Sequence, residues 1–376
     1  ESLVDLSIQK SSSTVLADRG EVINQTGRVN FDNTKIKGSI NLNGAVIDDL
    51  TLEEFRETLD PKSDLIEFLN PLGSDNAYYL DTGWVSSDST IELPNSSSIW
   101  IADKNTIGIN EPVKLTWTSD QNITFEKIIT LDDNYLFSVD QRVINNSGLS
   151  FDLYPYGLSK RQGIPEMQNF FILHEGPLSI TDGVLEEYDY DDLKDDKKIK
   201  HSSVGGWIGM TDKYWQTAII PNQNEPVQQT YSYSFVDNID NFQTDIVGER
   251  IAVSNNASIS HNFKIFAGPK IVNIIDKYME EYGFDGFDRS VDFGWFYFLT
   301  KPIFNVLEFI YGYVGNFGWS IILFTVLMRI CFFPLAQQSF KSMAKMKKLA
   351  PEMQRLKEQY GDDRAGMQKE MMALYK

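Results

Sequence analysis

Residues 317–335, FGWSIILFTVLMRICFFPL, restrict this chain more than any other stretch, because nineteen residues carry a single charge, Arg329. A bilayer core needs roughly 20 apolar residues at 1.5 Å each, so the run predicts a transmembrane helix over residues 317–336. A guanidinium cannot shed its proton, and an arginine near the centre of such a helix costs about 2.5 to 3.5 kcal/mol even on lenient scales. Arg329 lies ten residues after Trp319, about 15 Å along the axis and close to mid-depth. In one reading it snorkels towards the cytoplasmic surface, helped by a helix break at Pro334. In the other it faces a wet cavity and meets a polar or acidic substrate. Thr325 shares its face, although a threonine hydroxyl bonded to the carbonyl one turn earlier is ordinary in such a helix.

The flanks orient the span. Lys341, Lys345, Lys347, Lys348, Arg355 and Lys357 follow it, whereas Glu280, Glu281, Asp285, Asp288 and Asp292 precede it with few bases. Basic residues mark the cytoplasmic side, so residues 1–316 are expected outside and 337–376 inside. The segment 291–316 mixes aromatics with Gly294, Pro302, Gly312, Gly315 and scattered charges. That composition predicts an amphipathic helix in the outer interface, anchored by Trp295, Tyr297 and, at the start of the span, Trp319, the other reading being a buried core helix. Beyond the span, Met343, Met346 and Met353 form an apolar stripe. Gly361 ends that helix, and Asp362 or Asp363 caps a second one carrying Met367 and Met371. An antiparallel helical hairpin over 337–376 results. Its methionines either line a groove for varied apolar segments, in contact with substrate or partner, or simply pack the two helices together.

Before the helices the pattern is that of strands. Val113, Leu115 and Trp117 alternate with Lys114 and Thr116, a turn follows at residues 119–122, and Ile123 and Phe125 resume the alternation. Similar runs recur from Val4 to Pro269, at residues 38–52, 135–143, 229–235 and 251–266, so a large β-sandwich over residues 1–269 is the economical fold. Residues 270–290 turn helical, as a connector after Gly268-Pro269. The charge-mixed stretch 189–200 reads as a solvated excursion, loop or short helix.

Chemistry is sparse. The net charge of −19 excludes an overall basic nucleic-acid binder, and the sole cysteine, Cys331, sits inside the apolar run. His174, His201 and His261 are scattered, which makes a poor metal site. His174 and Glu175, read as neighbours on one strand, would face opposite ways. No phosphate-binding loop, dinucleotide fingerprint, zinc-protease helix or nucleophile elbow occurs. The expectation is a non-enzyme with no cofactor and no metal. With neither an initiator methionine nor a leader, and with its last residues in mid-helix, the chain reads as a piece of a longer one.

The residues closely resemble the YidC-type membrane protein insertase family. The likeness rests on GNFGWSIILFTVLMRICFFPL at 315–335 and SMAKMKKLAPEMQRLKEQYGDDRAGMQKEMMALYK at 342–376. It extends to GAVIDDLTLEEFRETLDPKS at 44–63, VGGWIGMTDKYWQTAIIP at 204–221 and FAGPK at 266–270, which look like the periplasmic domain of Gram-negative, most of all alphaproteobacterial, members. The resemblance implies a periplasmic β-supersandwich, an interfacial helix, and a five-helix core around a hydrophilic groove in the inner membrane. It makes Arg329 and Thr325 groove residues that bind substrate. It further implies nascent membrane proteins as substrates and Sec translocon components as partners. A ribosome or targeting receptor would meet the cytoplasmic side, and the lipid bilayer would surround the span. The first anchor helix and the later core helices of the family are not in this sequence. Two other classes stay open, a scaffold docking Sec components and a carbohydrate-binding sandwich.

Overall fold

The computed structural model describes residues 17–165, 173–294, 296–361, 366 and 368. The strand signal expected between residues 4 and 16 lies outside them. The chain forms two compact units, Glu1–Asp292 and Phe293–Lys376.

The first unit is a sandwich of two sheets. Among the described residues one sheet has eleven strands and the other nine, almost all antiparallel. The alternation read at residues 113–125 sets the pattern. Strands Val113–Thr118 and Ile123–Leu131 pair in register, with Val113, Leu115, Ile123, Phe125 and Ile129 at most 1% exposed. Successive side chains of a strand face opposite ways, so one set enters the core and the other faces water. Phe31 of the larger sheet meets Phe137 of the smaller edge-to-face at 5.2 Å, an arrangement worth about 0.5–1.5 kcal/mol beyond its buried area.

Helix Val272–Tyr282 follows the last strand, Ser258–Pro269, and buries Val272, Ile275 and Tyr278 at roughly helical spacing. Gly283, at φ +69°, caps its C-terminus in the left-handed region that glycine enters without strain. Residues 189–200 are less solvated than their charge suggests. Helix Tyr190–Asp196 buries Tyr190 and Leu193, and strand Lys198–Val204 follows and pairs with Pro226–Val236. Two apolar residues three apart are enough to seat a short helix even where most of its neighbours are charged.

The second unit is helical. Helix Tyr297–Val314 ends at Gly315, and Asn316 caps the next helix by accepting from the Trp319 N–H at 3.2 Å. That helix runs unbroken from Phe317 to Tyr360. The break expected at Pro334 does not occur, and Pro351 is also interior. A proline removes one backbone bond and crowds one carbonyl, but helices in apolar surroundings re-satisfy the freed group and continue. The transmembrane stretch and the first arm of the expected hairpin are therefore one helix. Gly361 follows its last residue, and the second arm, with Met367 and Met371, lies outside the described residues apart from Gly366 and Gln368.

Candidate functional site

The long helix sets the geometry at Arg329. Its stretch Phe317–Lys348 has a mean hydropathy of 2.0 over the most apolar window, and it is the candidate membrane span among the described residues. Only 6% of that window is buried, so its apolar side chains face outward, as a lipid-facing helix requires and a soluble core helix does not. Arg329 is exposed midway along the apolar run. The run contains no carboxylate, and no described residue lies in ion-pair range of the guanidinium. Thr325, one turn earlier, donates its hydroxyl to the Ile321 carbonyl at 2.7 Å, which is the ordinary backbone-bonded state of such a threonine.

The other residues singled out in the sequence fall as follows. Trp319 is 60% exposed in the first turn of the long helix. Tyr297 opens the preceding helix, packs edge-on against Phe293 and receives the Lys301 ammonium over its ring at 5.5 Å. Among the described residues none of helix Tyr297–Val314 is buried, and Phe298, Phe309 and Tyr313 are 67–81% exposed. Trp295 lies outside the described residues. Met343 and Met346 are more than half exposed, and Met353 is intermediate.

The three histidines have separate partners. His174 Nε2 lies 3.1 Å from the Pro177 carbonyl, and His201 Nε2 lies 2.8 Å from the Tyr188 hydroxyl. His261 Nε2 lies 2.9 Å from Glu225, while burial pushes its pKa down against the pull of that carboxylate. His174 and Glu175 stand just before strand Gly176–Thr181 rather than on one strand. Glu175 accepts the Lys213 N–H at 3.1 Å. No group of three or more metal-binding side chains occurs among the described residues.

Sequence reasoning missed the polar groups inside the sandwich. Lys127 occupies an inward position between Phe125 and Ile129, and Gln141 does so between Val139 and Val143. A lysine or glutamine in an otherwise apolar inward register was the available signal. Lys127 Nζ reaches the Ala45 carbonyl at 3.1 Å and Asp81 Oδ1 at 3.2 Å.

A two-sheet β unit followed by an aromatic helix and a long, outward-facing apolar helix defines a membrane-anchored β-domain protein. The family described as YidC periplasmic domain matches residues 28–306, and the family described as 60Kd inner membrane protein matches residues 309–376. The chain belongs to the YidC family and localises to the inner membrane, with its β unit on the periplasmic side. It is 41% identical over 354 residues to the membrane protein insertase YidC of Rickettsia canadensis, a match covering 94% of this chain and 63% of the relative. To that of Pelagibacter ubique it is 41% identical over 372 residues, covering 98% of this chain and 65% of the relative. The chain thus spans less than two thirds of the length of these relatives. A galactose mutarotase related enzyme from Lactobacillus acidophilus aligns at 10% identity and a TM-score of 0.44, over 64% of this chain and 97% of that one. Likeness that distant carries no argument about chemistry.

Proposed function

We propose that this chain supplies the periplasmic domain and the first groove helix of a membrane protein insertase, which helps transmembrane segments enter and fold in the inner membrane. The observation that carries the reading is Arg329, a permanent cation midway along an apolar, outward-facing helix with no carboxylate in range among the described residues. An unpaired charge in hydrocarbon is expensive, and such a charge is kept where something pairs with it. A substrate helix entering from the cytoplasm must carry a short polar, often acidic, tail across the bilayer. A hydrated groove holding Arg329 shortens the dry distance and offers an ion-pair partner at half depth, with Thr325 one turn away on the same face. The apolar segment then partitions sideways into lipid.

The same reading assigns the exposed Met343 and Met346 to contact with apolar segments or targeting components on the cytoplasmic side. It makes Trp319 and Tyr297 interfacial anchors, and it makes ribosome, targeting receptor and Sec translocon components the partners. No step in it is catalytic. The energy comes from the transfer of the substrate's own apolar surface into lipid.

Site-specific photocrosslinking from position 329 to a stalled nascent chain bearing one transmembrane segment tests it. A crosslink that disappears when the segment is made polar supports insertion through this face. Silence at 329 with crosslinks only from the β unit favours the scaffold that docks Sec components.

A further inference from the structure

The larger sheet is almost cut between two neighbouring strands. Tyr78–Val85 and Val46–Arg56 pair at one position only, Ile47 opposite Leu80. Each is zipped to its other neighbour over six or more positions, in Tyr78–Val85 with Phe151–Gln162 and in Val46–Arg56 with Ile36–Asn41. Past Leu80 the two strands part, and residues 44–46 and 81–85 become the lips of an opening into the sandwich. On one side the loop 93–100 is held against the turn by bonds from the Trp100 N–H to the Leu42 carbonyl (2.9 Å) and from the Gly44 N–H to the Ser98 carbonyl (2.8 Å). On the other, Tyr156 lies against Gly83, where an added Cβ would come within 2.7 Å of the ring. Phe125, Lys127 and Gln141 of the smaller sheet also line the resulting cavity of about 290 Å³.

Its charges do not balance. Asp81 is taken by the Lys127 ammonium and by the Tyr156 hydroxyl, which donates at 2.8 Å. Glu126 lies 3.4 Å from Lys114 and 4.0 Å from Arg142. Both carboxylates of the lining are therefore matched. Lys160 is only 5% exposed, and its ammonium has no hydrogen bond or ion pair among the described residues. Gln141, 1% exposed, has no partner at either end of its amide. Burial without a counter-charge also lowers the pKa of Lys160 to about 8. A buried, unmatched cation and a buried, unmatched amide are each costly, and here both line an open cavity walled by Trp84 and Trp100.

We propose that this seam binds a small hydroxylated carboxylate of the sugar-acid class, with its carboxylate on the Lys160 ammonium, a hydroxyl on the Gln141 amide and its carbon skeleton against the tryptophan rings. The volume sits at the low end for ligand pockets, about 300–1,000 Å³, and suits a ligand of one sugar ring. Trp84 and Trp100, 4% and 3% exposed, together with Phe125 give the cavity apolar wall for the carbon skeleton of such a ring, while its hydroxyls point to polar groups. A neutral sugar of the same size would leave Lys160 unpaired. The site is independent of the insertase reading and can stand or fall alone.

Titration calorimetry on the whole chain in detergent, with D-glucuronate and D-glucose as probes, decides it. The expected result is saturable binding of glucuronate at least tenfold tighter than glucose, weakened at least tenfold in Lys160→Gln. A melting temperature of Lys160→Gln at or above that of the unchanged protein certifies its fold. Absence of glucuronate binding, equal affinity for the two probes, or undiminished binding to Lys160→Gln each overturns the proposal. Lys62→Gln, which alters an exposed lysine outside the cavity lining, is expected to leave binding unchanged.

Discussion

Lys127 and Asp81 come from opposite sheets of the sandwich and meet at 3.2 Å across its interior, with the lysine side chain 4% exposed. The lysine also caps the Ala45 carbonyl and lies 5.3 Å from the centre of the Trp100 ring. Breaking a buried pair by removing one partner leaves an uncompensated charge and typically costs about 3–5 kcal/mol. Lys127→Ala is therefore expected to lower the unfolding free energy by about that amount in a urea titration followed by tryptophan fluorescence. Lys114→Ala, which breaks an exposed pair, should cost below about 1 kcal/mol.

Alkaline conditions should first stabilise the β unit. Burial lowers the pKa of Lys160 to about 8, and burial does the same to Lys270 against the pull of Asp212 and Glu175. Between pH 8 and the ordinary lysine value of 10.5 the unfolded chain binds more protons than the folded one, so stability rises with pH. Buried tyrosines such as Tyr156 are shifted upward by desolvation, which reverses the slope above about pH 10. Unfolding free energies at pH 7.5 and 9.5 should differ by about 1–2 kcal/mol from each of Lys160 and Lys270. Lys160→Gln should remove about half of that difference.

Tyr278 fastens the helix Val272–Tyr282 to the sandwich. Its hydroxyl donates to Asp132 Oδ2 at 2.6 Å and accepts the Tyr135 N–H at 3.1 Å. Tyr278→Phe removes a bond to a charged acceptor and leaves a buried N–H without its partner, a loss of about 1–3 kcal/mol. Hydrogen exchange should show the Tyr135 amide losing protection ahead of the neighbouring Phe137 amide. Equal protection in both proteins would contradict the assigned bond.

Arg329 supplies the functional contrast. If it pairs with acidic tails at half depth, Arg329→Ala should slow insertion of such substrates by about tenfold, one charge-assisted contact of about 1.4 kcal/mol. Arg329→Lys should keep most of the rate, since the charge and not the planar fork is required. Proteoliposome insertion assays with acidic and neutral tails measure this. Full-rate insertion by the alanine protein would remove the charge from the mechanism.

Much of the architecture was legible because it is written in short-range pattern. The hairpin at residues 113–125 follows from alternation alone, and the end of the long helix at Gly361 follows from a glycine after a periodic stripe. Pro334 was misleading for the same reason. A rule about one residue's local cost was outweighed by 44 residues of continuous helix. The stretch 189–200 was misjudged by its charge, since the two residues that seat it, Tyr190 and Leu193, act through partners far away in the chain, as where Tyr190 packs on Phe242.

By itself the sequence determined the membrane span, the cation within it, the orientation implied by the basic flank and the alternating strands, because each depends on composition or spacing within a few turns or residues. Only the tertiary structure decided that Ile47 meets Leu80 while the strands beyond them part, that Lys127 crosses to Asp81, and that Lys160 is buried without a counter-charge. Those facts depend on which strands lie side by side and where their pairing stops. Residues far apart in the chain, such as Leu136 and Phe266, settle that together through the packing of two whole sheets, and no local pattern records it.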